Sequence, residues 1–153
     1  MVDCSDGFGN QGCDGGWPSS ALAFMKKNGM VTADIYPYKG HEDPPCKHLR
    51  GPHKVTKYIP VNYCEGLIKN IYQSPISVAV DATSWSSYQG GVLSKCGISI
   101  NHAVVLVGVV DEKWIIKNSW GQEWGENGYI RLAKGSTCGL GLTQAYQITA
   151  TKS

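Results

Sequence analysis

The chain has 153 residues, 42% of them hydrophobic, enough for one ordinary domain with a continuous core. A formal net charge of +2, with 17% charged residues and Lys26-Lys27 as the sole adjacent basic pair, gives no support to nucleic-acid binding. No stretch approaches the ~20 apolar residues of a membrane span, and Met1 leads into Asp3, Ser5 and Asp6 instead of a signal-peptide run, so no membrane partner is expected.

In chain order, Met1 to Gly16 is polar and broken by Gly7, Gly9, Gly12, Gly15 and Gly16, which reads as a surface loop needing a staple. Pro18 suits a first helical position, Ala21, Leu22, Phe24 and Met25 form an apolar face, and Asn28-Gly29 supplies a left-handed stop. Residues 36–52 hold Pro37, Pro44, Pro45 and Pro52 without periodicity and read as a second long loop around Cys46. Val55, Lys57 and Ile59 then open an extended run, and Leu67, Ile68, Ile71 and Tyr72 are spaced for a helix ending before Pro75. Strands are expected over 76–82, 103–110, 114–118, 128–132 and 145–149, with Asp111-Glu112-Lys113 as a hairpin turn. The pattern is α+β: loops and a helix to about residue 55, then a mostly antiparallel sheet or barrel.

Two segments carry chemistry. Asn101-His102-Ala103-Val104 opens one apolar strand, and Asn118-Ser119-Trp120-Gly121 ends the next, so a hairpin brings His102 and Asn118 together. A histidine working as a general base needs its second ring nitrogen held, and an asparagine carbonyl can accept that bond without adding charge. Taken in isolation, a satisfied core histidine and a turn asparagine are the commoner reading of such a pair.

The context is wider than the pair. Asn101-His102-Ala103, Lys117-Asn118-Ser119-Trp120-Gly121, Trp124-Gly125 and Asn127-Gly128-Tyr129 together resemble the papain and cathepsin L family of cysteine proteases. So do Val2-Asp3-Cys4 and Gly12-Cys13-Asp14-Gly15-Gly16, with Asp14 where that motif more often has asparagine. The resemblance runs nearly end to end and implies the papain-like α+β fold. Residues 1–55 would be a remnant of the helical left domain. Residues 56–153 would form the β-rich right domain, with a C-terminal tail returning to the left.

The resemblance implies a thiolate nucleophile, with His102 moving the proton, Asn118 orienting the ring and Trp120 shielding their hydrogen bond. In such proteases the cysteine lies about 130 to 150 residues before the histidine, so counting back from His102 runs off the chain. The nucleophile, the oxyanion-hole glutamine and the central helix are therefore expected to be missing. Gly12-Cys13-Asp14-Gly15-Gly16-Trp17 also leads into a helix, but by resemblance Cys13 is structural. Loss of a hydrolytic nucleophile costs roughly six orders of magnitude in turnover, so the isolated chain is expected to be inactive, and without the central helix its first half would expose apolar surface, so marginal stability or aggregation is expected. A piece of a longer protease is the favoured reading. The alternatives are an inactive homologue acting as a peptide-binding module and a subunit completed by another chain.

The resemblance also pairs Cys4 with Cys46 and Cys96 with Cys138, leaving Cys13 and Cys64 as free thiols. Disulfides would place the protein in a lysosomal, vacuolar or secreted compartment. A zinc site from Cys46, His48, His53 and Cys64 matches no standard spacing, so neither metal nor cofactor is expected. By the same resemblance Gly15 and Gly16 would hold an extended peptide by its main chain. Trp17, Pro18, Ala79, Ala103 and Thr143 would line the second subsite, and Trp124 the leaving-group side. That wall is apolar with one hydroxyl, which favours a bulky apolar side chain over arginine. Expected partners are peptide or protein substrates and the missing N-terminal segment or a propeptide.

Overall fold

Two units make up the chain: Met1–Tyr58 with the residues from Ile148 onward, and Ile59–Gln147. The computed structural model describes residues 1–47 and 50–152.

In the first unit, helix α1 (Pro18–Asn28) starts at its proline and stops at Gly29, whose φ is 74°. Glycine is required there twice over, because a Cβ would also stand 2.1 Å from the Gly51 carbonyl oxygen. The helix buries Pro18, Leu22 and Phe24, while Ala21 and Met25 of the expected apolar face are only half-buried. Phe8 meets Phe24 edge to face with ring centroids 5.5 Å apart, so the glycine-broken loop contributes to the helix's packing. That loop is held by the Cys4–Cys46 disulfide and by Asp3, which accepts from Tyr36 Oη at 2.7 Å and from the Asp43 amide at 2.8 Å. These polar staples replace the apolar periodicity that the segment lacks. Strand β1 (His53–Pro60) follows, tied to Met30 by reciprocal backbone bonds of 2.7 and 3.1 Å at His53.

The second unit holds helix α2 (Tyr63–Ile71) and strands β2 (Ile76–Val80), β3 (Val92–Leu93), β4 (His102–Val110), β5 (Lys113–Lys117) and β6 (Tyr129–Leu132). The last strand, β7 (Tyr146–Lys152), begins beside β2, and its later residues run beside β1. The sheet order is β7-β2-β4-β5-β6-β3, antiparallel except where β3 pairs parallel to β6. Period-two alternation buries Val104 and Leu106 of β4 and Trp114 and Ile116 of β5 around Leu67, Ile76, Val78, Trp85, Ile130 and Leu132.

Three details differ from the sequence reading. Helix α2 buries Leu67 and Ile71 but leaves Ile68 exposed and ends before the exposed Tyr72, so its apolar stripe is narrower than the spacing implied. Strand β3 is an unexpected addition, two residues fixed by β6 and by the Ala133 amide donating to the Leu93 carbonyl. The hairpin turn is Asp111-Glu112, both at positive φ (46° and 63°), with Lys113 already in β5 opposite Val110.

Candidate active site

His102 is the first residue of β4 and lies opposite Val80 at the end of β2. Asn118 comes one residue after β5, which pairs with β4 up to Val105↔Lys117. The tight turn at the other end of this hairpin, together with a one-residue register shift between Leu106 and Gly108, sets which residues meet here. His102 Nε2 lies 2.8 Å from Asn118 Oδ1, and the Ser119 amide donates to the same oxygen at 2.9 Å. A carboxamide oxygen can only accept, so the proton in the first bond belongs to Nε2. The asparagine backbone is pinned in turn, its amide donating to the Gly128 carbonyl at 3.0 Å. Asn118 is 8% exposed, and its Nδ2 is buried with no hydrogen-bond partner among the described residues.

Aromatic rings enclose the pair. Trp120 tilts across His102 with centroids 5.1 Å apart, and Trp85 meets the imidazole edge-on at 6.2 Å. Trp124 stacks on Trp85 at 6.1 Å and donates its indole N–H to the Trp85 carbonyl at 3.0 Å. Trp85 is fully buried and directs its own N–H at Cys138 Sγ, 3.4 Å away. Trp85 was missed from sequence because it sits in a polar Thr-Ser-Trp-Ser-Ser run with no periodicity.

Glu126 props the loop that carries Trp124. Arg131 donates to it twice, at 2.8 and 2.6 Å, and the Gly91 amide once at 3.0 Å. Arg131 is the main reason the Glu126 carboxyl is held down at about 2. Asp81, next along from Val80, is buried at 4% exposure. Thr83, through its hydroxyl first and its backbone N–H second, holds the Asp81 carboxyl below the ordinary aspartate value against the opposing effect of burial.

The remaining sequence candidates fall into two groups. Ala79 and Ala103 are direct register partners between β2 and β4, the first buried and the second exposed. Thr143 is exposed in the approach to β7. In the first unit, Gly15, Gly16, Trp17 and Pro18 are consecutive, exposed except for Pro18. Their loop is set by Gln11, whose amide donates to the Gly15 carbonyl at 2.8 Å, and by Asn10 Oδ1, which accepts from the Trp17 amide at 2.9 Å.

Cys4–Cys46 and Cys96–Cys138 are disulfide-bonded, while Cys13 is a free exposed thiol and Cys64 a free half-buried one. The Cys64 sulfur faces Ser136 Oγ at 3.8 Å. Of the zinc alternative, Cys46 is consumed by its disulfide and His48 lies outside the described residues. Among the described residues no helix is long and apolar enough to cross a membrane.

Residues 1–148 match the model of the papain family cysteine proteases. The chain is 45% identical to cathepsin L 2 of Paramecium tetraurelia over 151 residues, covering 97% of this chain and 48% of that protein. It is 38% identical to a cathepsin L-like proteinase of Phaedon cochleariae over 164 residues, covering 98% and 50%. A solved cysteine protease of Carica candamarcensis superposes with a TM-score of 0.87 at 35% identity, over 97% of this chain and 74% of that one. A digestive procathepsin L 3 of Tenebrio molitor gives 0.86 at 34%, over 97% and 53%. The chain spans about half the length of the curated relatives it matches. By its family match, its identity to these relatives and its papain-like α+β fold, this chain belongs to the papain family of cysteine proteases, on the cathepsin L-like side.

Proposed function

We propose that this chain supplies the imidazole and carboxamide of a thiol endopeptidase site, and that the attacking sulfur comes from a segment outside these 153 residues. The observation that carries the reading is the 2.8 Å contact between His102 Nε2 and Asn118 Oδ1. With Nε2–H committed to Asn118, Nδ1 is the nitrogen that takes the thiol proton and later returns it to the leaving amine. Asn118 keeps the ring from turning, and Trp120 keeps water from competing for the bond.

No cysteine of the chain is assigned as the nucleophile. Four are in disulfides, Cys64 faces Ser136, and Cys13, a free thiol, is read as structural by family resemblance. On this reading the isolated 153 residues should show no turnover.

Substrates are peptides or proteins bound extended along Gly15 and Gly16. By family resemblance Trp17 and Pro18 of the first unit, and Ala79, Ala103 and Thr143 of the second, are each assigned to recognition of a bulky apolar side chain, and Trp124 to the leaving-group side. The half-exposed Trp17 indole, at 51%, supports an apolar subsite wall. A propeptide is a second partner, in keeping with the procathepsin relative, and a bromelain protease solved with an inhibitor supports a ligand-accepting cleft. Two disulfides suit a lysosomal, vacuolar or secreted protein.

Fluorogenic peptides test this. The chain alone should release no fluorophore above background. Joined to the nucleophile-bearing N-terminal half of a cathepsin L-like relative, it should cleave peptides with leucine or phenylalanine at the second position before the scissile bond, faster than those with arginine. Turnover by the chain alone, or an arginine preference in the joined enzyme, would refute the assignment.

A further inference from the structure

Asp81 is a buried carboxylate with no catalytic task in the scheme above. Among the described residues none of the ion pairs includes it. A buried anion must be compensated, and here the Thr83 hydroxyl and two backbone N–H groups do so. Thr83 N–H donates to Oδ1 at 3.0 Å and Ser99 N–H to Oδ2 at 2.9 Å. The residue's own amide donates to the Cys138 carbonyl at 2.8 Å. A Cβ on Gly97 would lie 2.3 Å from Oδ2, so the carboxylate has room because residue 97 lacks a side chain.

These contacts join two stretches that border the imidazole. Thr83 lies just past β2, whose last residue pairs with His102, and Ser99 lies on residues 94–101, which deliver the chain into His102. The delivering segment is anchored at one end by Cys96–Cys138. At the other end the Asn101 amide donates to the Val80 carbonyl at 3.0 Å, and Asn101 Oδ1 accepts from the Ala82 amide at 2.9 Å. The Ser99–Asp81 bond holds the span between those anchors. A catalytic ring must be held within about 0.5 Å of its working position, and the backbone at residues 101–102 sets where the ring begins.

We propose that Asp81 is a positioning residue for His102: by clamping Thr83 and Ser99 together it holds residues 94–101 so that the imidazole meets Asn118. This rests on the protease reading of the His102–Asn118 pair. In Asp81→Asn one oxygen becomes an N–H₂ group that cannot accept, so a backbone donor loses its partner with little change of shape. Gly97→Ala keeps the carboxylate and crowds it from the other side.

Nitrogen-15 NMR of the chain separates the outcomes. In wild type, His102 should show a single tautomer with a slowly exchanging Nε2 proton. In both variants that proton should broaden or vanish and the tautomers should mix, while amides of Ile116 and Ile130 keep their shifts. Exchange of the Ser99 amide should accelerate roughly tenfold to hundredfold. If Asp81→Asn does not fold, Gly97→Ala reports on the same contact. Faster Ser99 exchange with an unchanged His102 Nε2 proton would overturn the proposal, leaving Asp81 a structural pin. A wild-type chain with no hydrogen-bonded Nε2 proton would instead overturn the reading of the pair, and the positioning role with it.

Discussion

Replacing both Cys96 and Cys138 by serine removes a crosslink between residues 42 apart in sequence. In the chain-entropy account, opening a loop of that size restores roughly 13 cal/mol/K to the unfolded chain, about 4 kcal/mol at room temperature. Set against the ~5–15 kcal/mol of a typical domain, this is a large fraction. The Cys4–Cys46 bridge also spans 42 residues, so loop entropy alone predicts the same loss there. The environments differ: Cys138 is 1% exposed and accepts the Trp85 indole N–H, whereas Cys4 and Cys46 are half-buried. The Cys96/Cys138 variant should therefore lose more than the Cys4/Cys46 variant, by about 1 kcal/mol for the hydroxyl buried at residue 138. Urea unfolding of the two double variants measures both losses. Losses below about 1 kcal/mol, or a larger loss for Cys4/Cys46, would refute the reasoning.

Leu67→Ala should cost about 2–5 kcal/mol because the side chain is fully buried, whereas Tyr72→Ala, exposed just past the end of the same helix, should stay within about 0.5 kcal/mol, as thermal melts will show. Glu112→Gly relieves a non-glycine residue at φ 63° and should raise stability by about 0.5–1 kcal/mol in denaturant titrations, less a small loss from its exposed pairing with Lys134. The Glu126 carboxyl sits at about 2, below the ordinary glutamate value of 4.5. Its contribution is thus fully present above pH 4.5 and is lost as pH falls toward about 2. Melts across that window should flatten in Glu126→Gln; an unchanged slope would contradict the Arg131 pairing.

The β4–β5 hairpin was legible because two apolar runs rich in β-branched residues, 103–110 and 114–118, flank the polar Asp111-Glu112-Lys113, whereas the one-residue register shift between Leu106 and Gly108 has no signal in those continuous runs. Helix α1 was legible from Pro18 and Gly29, whose backbone preferences are local. Strand β3 was not, since two residues carry no period and its pairing comes from β6, distant in sequence. Trp85 and Asp81 were hidden for a related reason: an indole against a disulfide sulfur and a carboxylate gripping two loop amides are tertiary contacts with no local spacing rule. The surplus width of α2's apolar stripe, Ile68 and Tyr72, shows the converse, a helical period that burial does not follow.

The central claim is that His102 and Asn118 together serve a thiolate in peptide cleavage. Its most direct test is kcat of the joined enzyme carrying His102→Ala or Asn118→Ala. The first should lose on the order of 10⁴-fold or more, through removal of the proton carrier. The second should lose roughly 10- to 150-fold, the worth of one charge-assisted hydrogen bond of ~1.5–3 kcal/mol. Cleavage at the wild-type rate by the His102→Ala enzyme would contradict the account.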